Sequence, residues 1–209
     1  ENQIVFEILL PLIQNQVSRM DIPTYCQPII DEITKPEIMN AQDSSGRTAL
    51  HYLAMGTMNQ SNVACTSHQN YLITYLSSDT NGSGMFNITE NVKTQVNVNV
   101  KDCDGRTVLH YLALGVKEHP IIADKILPLI FYLKSPDNVN AKDNDGKTIL
   151  HYLAMGIKDH PDATDKIFNI IRRLKTQENV HAKDCDGRTV LHYLAMGIND
   201  QPNAGNKIF

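Results

Sequence analysis

The sequence predicts an all-α fold built from repeated helical units, and three observations support this prediction. First, DCDGRTVLHYLA occupies residues 102–113 and recurs unchanged at 184–195, with the near copy DNDGKTILHYLA at 143–154. Second, these copies follow one another at a constant spacing of 41 residues (143 − 102 and 184 − 143). Third, apolar residues recur at helical intervals inside each copy. A fixed period of about 20 to 50 residues is typical of repeat architectures.

A fourth copy of the phrase, DSSGRTALHYLA, occupies residues 43–54 and begins 59 residues before the copy at 102, so its unit has 18 extra residues (59 − 41). These residues fall at 77–95, a segment rich in Ser, Asn, Thr and Gly, which predicts a projecting loop with Met85 and Phe86 as its apolar pair. We expect a single domain over 1–209, with a degenerate unit at about 1–42, a unit with the insertion at 43–101, regular units at 102–142 and 143–183, and a truncated unit at 184–209.

The first helix of a unit is predicted by the segment TILHYLAMGI at 148–157. Apolar residues recur there at helical spacing from Ile149 to Ile157, and Thr148 is a typical N-cap residue. Gly156 lies near the expected end of the helix, where glycine is common. This segment therefore predicts one short helix for each unit.

The second helix is predicted within the segment KDHPDATDKIFNIIRRLK at 158–175, and we expect an extended inter-helix loop at GIKDHPDATD, residues 156–165. Pro161 suits a first helical turn, and the apolar residues that follow at helical spacing are Ile167, Phe168, Ile170, Ile171 and Leu174. The segment at 176–187 then ends in an Asp-x-Asp-Gly cluster, which favours a tight turn with positive φ at the glycine. Each unit is thus predicted to be helix, loop, helix and hairpin-like finger.

Composition limits the class of protein. With 42% apolar and 20% charged residues, the chain has the balance of a folded globular domain. A net charge of −4 argues against nucleic acid as the main partner. No apolar stretch reaches the roughly 20 residues that a membrane-spanning helix needs, so no membrane contact is expected. The sequence contains no GxSxG, HExxH or P-loop motif, and we therefore expect neither enzymatic activity nor a cofactor.

The four cysteines are Cys26, Cys65, Cys103 and Cys185. Cys103 and Cys185 hold equivalent positions two units apart, which is roughly 20 Å when helices pack about 10 Å apart, so these two cannot form a disulfide. No CxxC or CxxH spacing indicates a zinc site. This pattern predicts a reducing intracellular compartment, either cytoplasm or nucleus. The compartment can be that of a host cell.

The phrase GRTVLHYLA at 105–113 resembles the G-x-T-P-L-H-x-A signature of ankyrin repeats, and NVNAKD at 138–143 resembles the segment that leads into the next ankyrin finger. The resemblance covers nearly the whole chain. It implies an ankyrin-type helical-repeat solenoid with β-hairpin-like fingers and extended inter-helix loops. HEAT-type units have a similar length but lack the DGRT finger. The chain departs from the ankyrin pattern in its period, which is about 33 in that family, and in the residues Ala49, Val108, Ile149 and Val190 at the signature proline.

The resemblance also implies structural roles for repeated polar residues. The histidines at His51, His110, His151 and His192 are expected to bond the backbone of the neighbouring finger. The tyrosines that follow them are expected to pack between units. His119 and His160 each precede a proline, and we expect them in solvated loops, with a contact role as the alternative.

In ankyrin geometry the finger tips and the exposed side of the first helix form the concave surface. A basic row beside an apolar row on that surface suits a protein or peptide with acidic and apolar features, because methionine adapts its shape and arginine binds carboxylates. The alternative interpretation is that the basic residues pair with aspartates of the same finger and the methionines cap the core. The predicted partner-binding residues are Arg47, Met55, Lys101, Asp104, Arg106, Leu114, Lys142, Asp145, Lys147, Met155, Lys183, Asp186, Arg188 and Met196.

We therefore predict a non-enzymatic protein-interaction module. The stretched LHYLA units also resemble those of large ankyrin effectors of intracellular bacteria and poxviruses, which implies a host regulatory protein as the partner. Three alternatives stay open. The repeats can select the substrate of an enzyme whose catalytic domain lies outside this segment, they can bind nucleic acid through Lys101, Lys142 and Lys183, or they can act as a spacer.

Overall fold

The computed structural model describes residues 35–55, 57–58 and 97–199. Residues 1–34, the predicted projecting loop at 77–95 with Met85 and Phe86, Cys26, Cys65 and residues 200–209 lie outside the described residues. Within the described ranges the structure is helical and contains no strand, which confirms the all-α prediction. None of the described helices has the length and apolar character that crossing a membrane requires.

The α-helices form three sets that recur from unit to unit. The first helices of the units are α2 (Ala49–Met55), α3 (Val108–Glu118), α6 (Ile149–Asp159) and α9 (Val190–Asn199). The second helices are α4 (Ala123–Leu133) and α7 (Thr164–Leu174). The third set consists of short helices that lead into the fingers, namely α1 (Pro36–Met39), α5 (Pro136–Asn140) and α8 (Gln177–His181).

Equivalent helices lie side by side. Helix α2 packs against α3, α3 packs against α6, and α6 packs against α9. The second helices cover this row from one side, because α4 contacts α3 and α7, and α7 contacts α6. The buried apolar side chains form one cluster that runs through these helices. Each unit therefore buries its apolar residues against the next unit and not only within itself.

Each first helix begins in the same way, as its sequence predicts. Thr107 and Thr148 are the N-caps of α3 and α6, and both have extended backbone dihedrals. The main-chain N–H of Thr148 donates to Nδ1 of His151, 3.0 Å away, in a reciprocal capping arrangement. Histidine here takes the place that Glu or Gln usually has in a capping box.

The predicted inter-helix loop at 156–165 is wrong, because most of that segment is helical. Helix α6 continues to Asp159, and a 3₁₀ turn at Pro161–Ala163 leads directly into α7. The equivalent segment at 115–124 is organised in the same way around Pro120–Ile122. Only His119 and His160 interrupt the helices, with φ of −138° and −135°, because the residue before a proline is driven out of the helical region. The residues predicted to form inter-helix loops, 115–124 and 156–165, therefore lie mostly in helices.

The segment before each finger is also more ordered than the sequence analysis predicts. Ser135 caps α5 by accepting from the N–H of Asn138 at 3.1 Å, and Thr176 caps α8 in the same way with Asn179. Both asparagines are fully buried, and Asn179 Nδ2 donates to the carbonyls of Leu174 and Val139. A buried amide that bonds its own unit and the preceding one fixes the distance between them.

The fingers are tight turns without strands. In the finger at 143–147 the N–H of Asp143 donates to the Lys147 carbonyl, and the N–H of Gly146 donates back to the Asp143 carbonyl. Gly146 has a φ of 74°, which is the left-handed conformation that the Asp-x-Asp-Gly sequence predicts. The finger is thus a turn and not the predicted β-hairpin, because helices end at Asn140 and begin at Ile149 on its two sides.

Candidate binding surface

An aspartate organises each finger, and it is buried in the fingers that begin at Asp102, Asp143 and Asp184. Asp102 Oδ1 accepts from the N–H groups of Asp104 (3.0 Å) and Arg106 (2.9 Å), and Oδ2 accepts from the hydroxyl of Tyr111. Burial alone would raise the pKa of Asp102, but these hydrogen bonds outweigh it and lower the pKa below its usual value. Asp143 and Asp184 make the same bonds in their units. The first helix and its finger are therefore held together by a Tyr–Asp pair.

The repeated histidines connect neighbouring units. Nε2 of His51, His110 and His151 lies 3.1 to 3.2 Å from the carbonyl oxygen of Arg106, Lys147 and Arg188, respectively. In each case Nδ1 accepts from a threonine N–H, so the neutral ring carries its proton on Nε2 and donates it to the next finger. The predicted structural role is confirmed for these three residues, while His192 is exposed.

Main-chain bonds join successive finger tips as well. The N–H of Cys103 donates to Ser45, that of Asn144 donates to Asp104, and that of Cys185 donates to Asp145. The glycines fit closely between these fingers, since a Cβ at Gly146 would lie 3.1 Å from the backbone of Asp184. The fingers thus form a continuous edge beside the row of first helices.

The predicted basic row lies on this edge, but its charges are paired. Arg106 Nη1 lies 3.4 Å from Asp104, Lys147 Nζ lies 3.1 Å from Asp145, and Arg188 Nη1 lies 2.7 Å from Asp186. Arg47 Nε reaches the buried Asp102 of the next unit at 3.6 Å. This geometry favours the alternative interpretation of the row, in which arginine and aspartate pair within a finger.

The lysines at the base of the fingers bind the main chain. Lys101 Nζ donates to the Lys142 carbonyl, and Lys142 Nζ donates to the Lys183 carbonyl, both at 2.8 Å. Because each of these ammonium groups bridges to the following unit, two members of the row considered for phosphate contacts are already engaged in holding units together.

The predicted apolar row is mostly part of the core. Met55, Leu114 and Met155 are half-buried and pack against the buried cluster, whereas Met196 is 36% exposed. Between α6 and α9 there is a cleft with a volume of about 340 Å³. The cleft is lined by Met155, Lys158, Asp159, Arg188, Tyr193 and Met196.

Three of these lining residues, Met155, Arg188 and Met196, belong to the predicted partner-binding set, whereas Tyr193, Lys158 and Asp159 do not. Lys158 and Asp159 lie three and four residues after Met155 on the exposed face of α6, so the helical period would have found them had the helix been predicted to extend past residue 157. The equivalent residue in the preceding unit, Lys117, is engaged by Glu118 at 2.8 Å and Asp159 at 3.2 Å. Lys158 has no such partner among the described residues and is exposed.

His119 is not the solvated loop residue that the sequence analysis favours. It is half-buried, and its Nε2 lies 2.9 Å from the Met58 carbonyl of the preceding unit. His119 thus contacts a neighbouring unit just as the helix histidines do, from the opposite end of α3.

We also searched the described residues, 35–55, 57–58 and 97–199, for a metal site. Among them, no three His, Cys, Asp or Glu side chains are grouped so that they can hold a metal ion. Cys103 and Cys185 are exposed free thiols. In comparisons with known proteins, the chain matches no family model and no curated protein.

Proposed function

We propose that this protein is a non-enzymatic interaction module of the ankyrin-repeat type, an array of stacked units that holds a partner protein or peptide on its concave side. The observation that carries the proposal is the cleft between α6 and α9. Its lining combines two methionines and two cations with Asp159 and Tyr193. Stacked equivalent helices and finger-to-finger bonds support the ankyrin-type assignment.

The chemistry of the cleft selects the kind of partner. Met155 and Met196 offer a polarisable apolar floor that suits an aliphatic or aromatic side chain. Lys158 adds a positive charge that has no ion-pair partner within the described part of the chain, and Arg188 keeps 44% of its side chain exposed despite its pair with Asp186. A peptide that places an apolar side chain next to a carboxylate complements this surface. A host regulatory protein that displays such a segment is the partner class we propose, with a reducing compartment as the setting.

The structure sharpens the choice of variants for testing this function. Reversing the charge of Arg106 is a poor probe, since its guanidinium also lies 4.0 Å from the buried Asp143 of the next finger. Lys158→Glu and Met196→Asp are better, because both side chains are exposed and contact the cleft. Arg172→Glu is the matched control, because Arg172 is an exposed cation on α7, outside the residues that line the cleft.

The experiment is a selection of displayed peptides on the wild-type chain, followed by affinity measurement by fluorescence anisotropy. We expect enriched peptides to carry an acidic residue beside an apolar one, and Lys158→Glu and Met196→Asp to weaken binding by about tenfold or more, which corresponds to roughly 1.4 kcal/mol. Arg172→Glu should bind like wild type. Enriched peptides that bind both cleft variants with unchanged affinity would contradict the proposal, and so would a selection that enriches nothing.

A further inference from the structure

The second helices carry a group of cations at one end, and none of these residues lines the cleft between α6 and α9. Four exposed cations lie in or just after the last turns of α4 and α7, namely Lys134, Arg172, Arg173 and Lys175. Among the described residues, none of these four side chains has an acidic side chain within ion-pairing distance. At the opposite end of α7, in contrast, Lys166 is paired with Asp124 of α4 at 2.7 Å.

The half-buried ring of Phe131 brings two of these cations together. Lys134 Nζ lies 4.9 Å from the ring centroid, and Cζ of Arg173, in the following unit, lies 5.6 Å from it. Both distances suit a cation–π interaction. The ring therefore holds the planar guanidinium of Arg173 in place, and its N–H groups keep the fork geometry that matches an oxyanion.

Stacking of the units does not account for this arrangement. The end of α4 reads FYLK at 131–134, and the end of α7 reads RRLK at 172–175. The leucine of each segment is 3% exposed and belongs to the core, so the stacking of units depends on a position that both share. The helix dipole favours cations in a last turn, but it does not make two cations from different units converge on one ring.

The acidic residues that follow these helices are bonded elsewhere. Asp137 Oδ2 accepts from Asn99 Nδ2 at 3.4 Å, and Glu178 Oε2 accepts from Asn140 Nδ2 at 2.8 Å. Two like charges held at one ring repel each other, and an anion that contacts both relieves the repulsion. A carboxylate brings one negative charge, whereas a phosphoryl group on a side chain brings close to two, with three acceptor oxygens.

Other polyanions fit this surface less well. Single-stranded nucleic acid binds by stacking its bases on aromatic rings, but cations already lie over the Phe131 ring. A lipid surface needs apolar side chains that can insert, whereas Leu127, Phe131 and Phe168 are half-buried and pack against the core. The combination of a stacked arginine and a lysine is typical of phosphopeptide recognition.

We propose that Phe131, Lys134 and Arg173 form a binding site for a phosphorylated side chain of a partner protein. Arg173 donates to phosphoryl oxygens from its guanidinium, Lys134 donates from its ammonium group, and Arg172 and Lys175 add positive charge around them. The site goes beyond the proposed function of the cleft and does not depend on it, because the peptides proposed for the cleft carry carboxylates and no phosphate.

The test uses the 209-residue chain and an array of peptides, each with a central phosphoserine in varied flanking sequence. Peptides that bind are then measured by fluorescence anisotropy. We expect affinity to fall by about tenfold or more when serine or glutamate replaces the phosphoserine, and by about tenfold in Arg173→Ala and in Lys134→Ala. Lys166→Ala is the matched control and should bind like wild type, because Lys166 is an exposed cation of α7 that is paired with Asp124.

Phe131→Leu separates an organised site from positive charge alone. This variant keeps all four cations and an apolar side chain but removes the ring that holds Lys134 and Arg173. We expect the affinity for phosphoserine peptides to fall by about threefold or more. Circular dichroism should give the wild-type spectrum for every variant, so that a loss of binding is not a loss of fold.

The proposal is overturned if no phosphoserine peptide binds, if glutamate peptides bind equally tightly, or if Arg173→Ala or Phe131→Leu leaves the affinity unchanged. Sedimentation with phosphatidylserine vesicles that Arg173→Ala abolishes would make a membrane the partner and the proposal wrong. Lys158→Glu and Met196→Asp should leave phosphopeptide affinity unchanged, so failure here is distinct from failure of the cleft. A loss in those two variants would place the phosphopeptide in the cleft and contradict the proposal.

Discussion

Nε2 of His151 lies 3.2 Å from the carbonyl oxygen of Arg188, a residue 37 positions further along the chain. The ring is fully buried, and its Nδ1 accepts from Thr148 at the start of the same helix. One side chain therefore closes the N-terminus of α6 and binds the finger of the following unit. Its repetition at His51 and His110 makes this the recurring link between units.

His151→Ala should lower the free energy of unfolding more than His192→Ala. Both variants lose the bond to a threonine N–H, but only His151→Ala also loses a bond between units, that from Nε2 to the Arg188 carbonyl, which keeps its bond from the Asp184 N–H. We expect the difference to be about 1 kcal/mol, the net contribution of a typical hydrogen bond. Urea unfolding followed by circular dichroism measures it, and equal losses in the two variants would show that the bond between units contributes nothing.

Gly146→Ala and Gly187→Ala form a second matched pair. Both glycines have φ near 75°, which costs alanine about 1 kcal/mol, but only the Cβ at position 146 would press on the next finger at 3.1 Å. We expect Gly146→Ala to be more destabilising by a further 1 to 3 kcal/mol or so. Thermal and urea unfolding check this. A Gly187→Ala variant as unstable as Gly146→Ala would mean that backbone strain alone accounts for the effect.

Tyr152→Phe should destabilise the chain by about 1.5 to 3 kcal/mol, because it removes a hydrogen bond to a charged, buried acceptor. The hydroxyl of Tyr152 donates to Asp143 Oδ2, and burial together with Asp143 raises the pKa of Tyr152. A double-mutant cycle with Asp143→Asn isolates the pair from the loss of the separate Asp143 bonds to the finger N–H groups. A coupling energy near zero would contradict the account.

The chain should lose stability as the pH falls from about 6.5 to about 4. Burial lowers the pKa of His110 to about 4, while the same residue in the unfolded chain has a pKa of 6.5. In that interval the unfolded state binds a proton that the folded state does not, so lowering the pH favours unfolding, by up to about 3 kcal/mol for this residue. The pKa values of His51 and His151 are lowered for the same primary reason, burial.

The finger aspartates affect the free energy of unfolding at a lower pH than the histidines do. Hydrogen bonds hold the pKa values of Asp43, Asp102 and Asp184 below the usual 3.8, against the opposing effect of burial, so their contribution is lost only as the pH falls further. Two separate acid transitions in stability are therefore expected. NMR titration of the His110 ring checks the first directly, and a midpoint near 6.5 in the folded protein would contradict it.

The sequence predicts the repeat, the first helices, the structural histidines and the positive φ of the finger glycines, because each depends on short-range chemistry that recurs in every copy. It does not predict that α6 reaches Asp159 or that residues 177–181 are helical. The local signal for this short helix is present in the sequence, since Thr176 and Asn179 form a capping pair. The polar composition of the segment nevertheless predicts a finger.

The binding surface is harder to read from sequence. A basic row is visible at 41-residue spacing, but its pairing with Asp104, Asp145 and Asp186 depends on side-chain distances that periodicity does not give. The lining of the cleft likewise depends on side-chain pairing, since Lys117 is bonded by Asp159 and Lys158 is not bonded within the described residues. Repetition predicts what units share and is silent about such differences.

The central claim is that the units are interchangeable modules, each covering the next, and deleting residues 143–183 tests it most directly. This deletion joins Lys142 to Asp184 and places α9 against α3 in the relation that α6 has to α3. We expect a helical chain that unfolds cooperatively at a lower urea concentration, since stability is close to a sum over units and their interfaces. A control deletion of residues 143–180 breaks the register and should unfold the C-terminal part. If the register-preserving deletion loses its helices to the same extent as the control, the modular account is contradicted.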